Sequence, residues 1–178
     1  MRQVISKAVQ VFLLGLVIVQ PAGLSAHTTP PEPQWKFSGE MDSDCVWSQS
    51  VRWSIDPILL LAIIRQEGIA PGACAPNRNG TCDIGPLGIN NRPAALQELA
   101  RHMGYPHEDF TYKLHTDACF NVGAGAAMLR KKINEAGGDV WKGVAWYNSR
   151  TPHVGAAYAS KVAVHYLKID RSLKGLNS

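Results

Sequence analysis

Apolar residues recur every three or four positions through most of the chain, which is the spacing of one face of an α-helix. No alternating run of apolar and polar residues is long enough to predict a substantial sheet. The fold class is therefore mostly α, with a minor β part (α+β). Six helices are predicted: about residues 43–53, 57–67, from Pro93 through Met103, from Asp117 through Ile133, from Asp139 through Trp146, and from Pro152 through Ile169.

Helix starts are marked by short acids and by proline. Asp56 stands directly before Pro57, the preferred order of an N-cap residue and the first helical position. Asp117 is the predicted cap of a longer helix, Asp139 is predicted to start a short one, and Ser43 or Asp44 is a candidate cap for the first helix. The helix boundaries are thus predicted by chemistry as well as by periodicity.

Residues 71–90 interrupt the helical rhythm with many Gly, Pro and Asn residues. A loop of this length in a compact domain is usually functional or disordered. A weak extended pattern over residues 83–89 predicts part of a small hairpin there.

The N-terminus has the three parts of a secretory signal: Arg2 and Lys7, an apolar run over residues 9–19, and small residues ending at Ala26. We interpret residues 1–26 as a signal peptide, 27–40 as an extended, proline-rich lead-in, 41–170 as a single domain and 171–178 as a C-terminal tail. The apolar run has about half the roughly 20 residues that a permanent membrane span needs. An uncleaved anchor or a buried helix is the alternative.

The chain has 178 residues with 46% hydrophobic content, enough for one domain with a full core. Loss of residues 1–26 would remove two positive charges, Arg2 and Lys7, so the net charge would fall from +4 to +2. A nearly neutral domain gives no electrostatic reason to expect nucleic acid as a partner. The basic cluster at residues 130–132 is explained by a solvated helix face.

The four cysteines are Cys45, Cys74, Cys82 and Cys119, and export predicts two disulfides, with three possible pairings. We favour Cys74 with Cys82 and Cys45 with Cys119. The sequence has no C-x-x-C or H-E-x-x-H motif, so no metal site is predicted.

Glu67 ends the most apolar predicted helix. It follows Ile63 and Ile64 at helical spacing, so its carboxyl should be partly desolvated, and it lies at the negative end of the helix dipole. Both effects raise the pKa of a carboxyl. A carboxyl that holds its proton near neutral pH can act as a general acid on a glycosidic bond.

Two alternatives remain open on residue position alone. Glu67 could simply be satisfied by Arg65, Gln66 or a distant cation. Two-carboxylate glycosidases also need a second acid. Asp83 is the nearest candidate, but an aspartate among turn residues more often accepts hydrogen bonds from backbone amides.

Four segments together resemble the lysozyme-like lytic transglycosylases, in the order found in that family. They are Ala62-Ile-Ile-Arg-Gln-Glu67, the stretch from Asn79-Gly80-Thr81-Cys82-Asp83-Ile84-Gly85 to Ile89-Asn90, Asp117-Ala-Cys119-Phe-Asn121, and Ala145-Trp-Tyr147-Asn148. The similarity covers about residues 41–168. It is strongest to the small enzymes that accompany conjugative transfer and type IV or type III secretion.

The resemblance implies a single lysozyme-like domain with an active-site cleft, in which Glu67 is the one catalytic acid and no cofactor is used. It implies cleavage between N-acetylmuramic acid and N-acetylglucosamine in periplasmic peptidoglycan, with a 1,6-anhydro product. It also supports the Cys45–Cys119 pairing. The residues expected to bind substrate are Gly85, Leu87, Asn90, Tyr147 and Asn148. Tyr147 as a plain core aromatic is the alternative for that residue.

The resemblance further implies glycan strands, and subunits of a conjugation or secretion apparatus, as partners. Two positions depart from the family pattern: Gly68 stands where Ser is usual, and Gly88 stands where Gln is usual. A lost hydrogen bond of this kind costs about 1–3 kcal/mol, which predicts altered or reduced activity. A lysozyme-type hydrolase and a catalytically weak wall-binding assembly subunit are the competing hypotheses.

Overall fold

The computed structural model describes residues 42–175. The predicted signal peptide, the lead-in over residues 27–40 and the last three residues of the predicted tail lie outside the described part. Within residues 42–175, no helix combines the length and apolar character needed to cross a membrane.

The described residues form seven helices and one small sheet. The helices are α1 (Ser43–Trp53), α2 (Pro57–Glu67), α3 (Pro93–Met103), α4 (His107–Thr116), α5 (Ala118–Glu135), α6 (Val140–Asn148) and α7 (Pro152–Gly175). The strands are β1 (Cys74–Pro76), β2 (Cys82–Ile84) and β3 (Ile89–Asn90). The prediction of a mostly α fold with a small β part is confirmed.

Two of the predicted caps, and the aspartate predicted to start α6, cap their helices. The side chains of Asp56, Asp117 and Asp139 each accept a hydrogen bond from a backbone N–H in the first turn of α2, α5 and α6. The prediction for α1 was wrong by one or two residues. Its cap is Asp42, which accepts from the backbone N–H of Cys45, while Ser43 and Asp44 lie inside the helix.

Two features of the helices were not predicted. Helix α4 gave a weak signal because only Phe110 and Leu114 of its ten residues are buried, so its apolar stripe is short. Helix α7 continues to Gly175, so residues 171–175 are helical and do not form a separate tail.

Helix α2 lies at the centre of the core. Residues 59–64 are all buried, and α2 packs against α1 and α7. Burial of each large aliphatic side chain contributes about 1.5–3 kcal/mol. This strong burial fixes the position of the helix end, where Glu67 lies.

Helix α5 is the second central element and packs against α1, α3, α4 and α6. Its apolar stripe of Val122, Ala126, Leu129 and Ile133, at helical spacing, is buried. In the adjacent basic cluster, Arg130 donates to the carbonyls of Trp53 and Ser54, and Lys131 pairs with Glu98 of α3. Both lysines also pair with Glu135 at the end of α5 itself.

The three strands form an antiparallel sheet in the order β1-β2-β3. Cys74 and Cys82 form a disulfide that joins β1 to β2, and Cys45 and Cys119 form a disulfide that joins α1 to α5. Both favoured pairings are therefore present. The sheet occupies the predicted hairpin region and forms one wall of the site described next.

Candidate active site

Glu67 is the last residue of α2, and Gly68 ends the helix in the left-handed conformation with φ +62°. Burial is the largest influence on the carboxyl and raises its pKa. The hydrogen bond from Tyr158 lowers the pKa, the negative charge of Asp83 raises it, and the net result is a raised pKa. This is the direction predicted from the apolar surroundings.

Tyr158 of α7 is the hydrogen-bond partner of Glu67. Its hydroxyl donates to Glu67 Oε1 at 2.5 Å. Burial, with smaller contributions from Tyr147 and Glu67, raises the pKa of Tyr158 far above its usual value, so the phenol remains a proton donor. The hydrogen-bond partner of Glu67 is therefore a neutral phenol, and not Arg65, Gln66 or a distant cation as in the alternative considered above.

Tyr147 of α6 supports the loop between β2 and β3. Its hydroxyl donates to the backbone carbonyl of Leu87 at 2.5 Å, and its ring stacks on that of Tyr158 with centroids 6.4 Å apart. Burial is the main cause of a strongly raised pKa of Tyr147, so it too stays protonated. Tyr147 is thus both a buried aromatic residue and a support for the loop beside Glu67.

Gly88 is the loop residue that faces Glu67. It has φ +59°, a conformation that favours glycine. A Cβ atom added here would lie 2.6 Å from Glu67 Oε2 and 2.9 Å from its carboxyl carbon. The absence of a side chain at this position therefore allows the loop backbone to approach the acid.

A cavity of about 600 Å³ opens beside Glu67, between the sheet region, α3 and α6. Asn90, Tyr147 and Asn148, three of the residues expected to bind substrate, line it together with Glu67. Its apolar lining includes Ile89, Leu96, Leu99 and Met128, and its basic lining consists of Arg78 and Arg92.

A second cavity, of about 450 Å³, shares Glu67 and Asn148 with the first but is walled by α7. Its remaining lining residues are Gln66, His153, Val154, Ala157, Tyr158 and Lys161. The carboxyl of Glu67 is thus accessible from two adjoining spaces, as expected for a group that acts in the middle of a long chain molecule.

Asp83 lines the first cavity with Glu67. Its Oδ1 accepts a hydrogen bond from Asn90 Nδ2 at 2.8 Å, and the same amide group donates to Thr81 Oγ1. The sequence led us to expect that Asp83 accepts hydrogen bonds from backbone amides, but it accepts one from the side-chain amide of Asn90. Asp83 therefore holds Asn90 in the cavity wall and adds negative charge near Glu67.

Gly85 and Leu87, which were also expected to bind substrate, do not line the cavity. Leu87 is fully buried, and its side chain fills the space above Gly125 of α5. Gly85 is buried against the side chain of Asn121. Both residues lie in the interior because the loop turns inward before it reaches Gly88. The prediction that they bind substrate is therefore corrected: they support the loop beneath the cavity.

Asn121 explains how that inward turn is held. It is completely buried; its Oδ1 accepts from the Leu87 N–H, and its Nδ2 donates to the carbonyls of Ile84 and Leu114. Sequence reasoning assigned Asn121 no role. The signal was present, since an asparagine next to a buried helix stripe needs partners for its amide.

Among residues 42–175, no group of three or more His, Cys, Asp and Glu side chains is close enough together to hold a metal ion. The chemistry that the site offers is that of a carboxyl with raised proton affinity, a phenol that orients it, and polar amides around an open cavity.

Comparisons with known proteins agree with this geometry. Residues 44–168 match the family model of the transglycosylase SLT domain. Invasion protein IagB from Salmonella typhimurium, strains SL1344 and LT2, is 31% identical over 142 residues, which cover 76% of this chain and 81% of the relative. Invasion protein IagB from Salmonella typhi is 31% identical over 133 residues, covering 71% and 78%.

Proposed function

Because this chain belongs to the transglycosylase SLT domain family, and is a lytic transglycosylase that acts on peptidoglycan, we propose that Glu67 is its catalytic acid and base. The observation that carries the proposal is the environment of this one carboxyl. It is desolvated, it has a raised pKa, it is hydrogen-bonded by Tyr158, and it lines both cavities.

In the first step, protonated Glu67 donates its proton to the oxygen that links N-acetylmuramic acid to N-acetylglucosamine. The C1–O bond of the muramic residue breaks, and the N-acetylglucosamine leaves with the transferred proton on its hydroxyl. The positive charge that develops at C1 is stabilised by the N-acetyl group of the same sugar. The raised pKa of Glu67 provides the protonated form that this step consumes.

In the second step, the ionised Glu67 removes the proton of the muramic C6 hydroxyl. The C6 oxygen bonds to C1 and closes a 1,6-anhydro ring, and Glu67 regains its proton. No water enters the product, so atoms and charge balance with a single carboxyl. This agrees with a site in which Asp83 is held by Asn90 and Glu67 is the acid with the raised pKa.

The test is digestion of purified peptidoglycan by the wild-type protein and by Glu67→Gln, with the products separated by chromatography and identified by mass spectrometry. We expect anhydro-ended muropeptides from the wild type and none from the variant. Equal digestion by both proteins would overturn the assignment of Glu67.

A lysozyme-type hydrolase is the second candidate, and the presence of Asp83 in the same cavity as Glu67 is the observation in its favour. The same digestion separates the two reactions, because a hydrolase leaves reducing ends and no anhydro ends. A wall-binding subunit with a degenerate site would bind peptidoglycan and leave it intact.

We further propose that the enzyme works in the periplasm, where it opens the wall locally for a conjugation or secretion apparatus. The N-terminal signal pattern and the two disulfides support export. The link with such an apparatus comes from the resemblance of the four sequence segments to the small transglycosylases described above, and the relatives carry the name invasion protein.

Two measurements test this role. Cell fractionation should recover the protein, without residues 1–26, in the periplasmic fraction; recovery in the cytoplasm would contradict export. Replacement of the chromosomal copy by Glu67→Gln should reduce transfer or secretion by the host. Unchanged transfer and secretion would contradict the proposed role and leave the enzymatic assignment intact.

A further inference from the structure

The second cavity contains a positive charge that a neutral sugar chain does not require. Lys161 lines this cavity from α7, and His153 lines it about two helical turns earlier on the same helix. Positions 153, 157 and 161 follow one another at helical spacing, so these side chains share the face of α7 that borders the cavity. The face continues directly from Tyr158, the residue that contacts Glu67.

Lys161 has no carboxylate partner among residues 42–175. The ion pair described on α7 joins Lys174 to Asp170, more than two helical turns further along. The acid in the cavity lining is Glu67, which is hydrogen-bonded by the neutral phenol of Tyr158 and forms no ion pair with any cation of residues 42–175. The ammonium group of Lys161 is therefore free to meet a negative charge on a ligand.

Peptidoglycan supplies such a charge at regular intervals. Its backbone sugars are neutral, but every second sugar is a muramic residue that bears a lactyl arm. This arm ends either in its own carboxylate or in a stem peptide with free carboxylates. A strand that passes over Glu67 can continue along α7, and its muramic residues can then bring a lactyl arm to the second cavity.

We propose that Lys161 binds a carboxylate on the lactyl arm of a muramic residue seated in the second cavity. This inference rests on the function proposed above and adds the feature of the strand that the enzyme recognises. It makes the acidic arm a determinant of strand binding.

Binding is measured by isothermal titration calorimetry in the non-cleaving Glu67→Gln background, so the result does not depend on turnover. Three soluble glycan strands serve as probes: one with stem peptides, one with free lactyl carboxylates, and one whose lactyl carboxylates are converted to neutral amides. Lys161 is exposed, so Lys161→Gln should weaken binding of an acidic strand by about threefold to fivefold, the upper range of the effect of a surface ion pair. Binding of the neutral strand should not change.

The acidic strand that loses affinity identifies the source of the carboxylate. Lys161→Arg should retain the affinity, and raising the salt concentration should reduce the difference in affinity between the protein with Lys161 and the Lys161→Gln variant. Lys168→Gln is the matched control, since Lys168 is an exposed lysine two turns further along α7 that does not line the cavity.

The proposal is overturned if Lys161→Gln weakens binding of the neutral strand equally, if it weakens binding of neither acidic strand, or if Lys168→Gln causes the same loss. Failure of the proposed function has a different signature, because it appears in the digestion assay with Glu67→Gln and not in these affinities.

Discussion

Replacement of Gly88 by alanine is expected to disable the enzyme while leaving the protein folded. The added Cβ would lie 2.6 Å from Glu67 Oε2, whereas ordinary van der Waals contact begins at 3.4 Å, so the carboxylate must move by about 0.8 Å (3.4 − 2.6). Misplacement of a reacting group by about 1 Å can reduce the rate roughly a hundredfold. We therefore expect kcat/KM for peptidoglycan cleavage to fall by roughly tenfold to a hundredfold.

The stability of the same variant should change much less. A residue with a Cβ in the left-handed region costs about 1–2 kcal/mol, which corresponds to a fall in Tm of roughly 2–8 °C. The clash itself adds little, because it involves the end of a flexible side chain and no backbone. Gly104→Ala is the matched control, since Gly104 has φ +65° and a Cβ there would contact nothing within 4 Å.

The two variants should therefore have similar Tm values in thermal unfolding, and only Gly88→Ala should lose activity in the release of anhydro-muropeptides. Gly88→Gln introduces the residue that is usual in the family. It should lose activity as Gly88→Ala does, because its Cβ lies in the same place. The reasoning is refuted if Gly88→Gln is more active than the wild type, or if Gly88→Ala and Gly104→Ala lose activity equally.

Three further predictions concern the surroundings of Glu67 and the disulfides. Glu67→Gln should raise Tm relative to wild type at pH 7–8, because a carboxyl with a raised pKa destabilises the folded state once the pH exceeds that pKa. The difference in Tm between the two proteins should close as the pH falls towards 4. A difference in Tm that does not depend on pH would contradict this prediction. Tyr158→Phe removes a hydrogen bond that lowers the pKa of Glu67, so the alkaline limb of the pH–rate profile should move to higher pH. The same variant should lose at least about tenfold in kcat. Tyr166→Phe, which removes the hydrogen bond from α7 to Asp56 at the other end of α2, should leave the pH–rate profile unchanged. Replacing both Cys45 and Cys119 by alanine should lower the free energy of unfolding in urea by about 4 to 4.5 kcal/mol. The same replacement of Cys74 and Cys82 should lower it by about 2.5 kcal/mol, since the first pair spans 74 residues and the second spans 8. Equal losses would argue against the chain-entropy explanation.

The sequence predicted the part of the site that depends on local signals. Asp56 and Pro57 mark the start of α2, and its apolar run places Glu67 at a buried helix end. These features follow from capping chemistry and hydrophobic periodicity, which act over a few residues. The raised pKa of Glu67 could therefore be predicted without a structure.

The partners of Glu67 could not be predicted in this way. No role in the site was predicted for Tyr158, and the hydrogen bond that it donates joins residues 91 positions apart. Nothing in the neighbouring sequence distinguishes a tyrosine that packs in a core from one that also reaches a distant carboxylate. The inward turn of the loop that buries Gly85 and Leu87 depends equally on a distant residue, Asn121.

The choice of a tyrosine as the partner of Glu67 follows from the two roles that the acid must perform. Burial raises the pKa of Glu67, and Asp83 adds to this effect, so the donor that orients the carboxyl must not cancel it. A nearby arginine would lower the pKa by about 1–3 units and leave the acid ionised before substrate arrived. A buried phenol holds Oε1 in place without a positive charge, and Gly88 leaves room for Oε2 on the other side. A single carboxyl can then donate a proton in one step and accept one in the next.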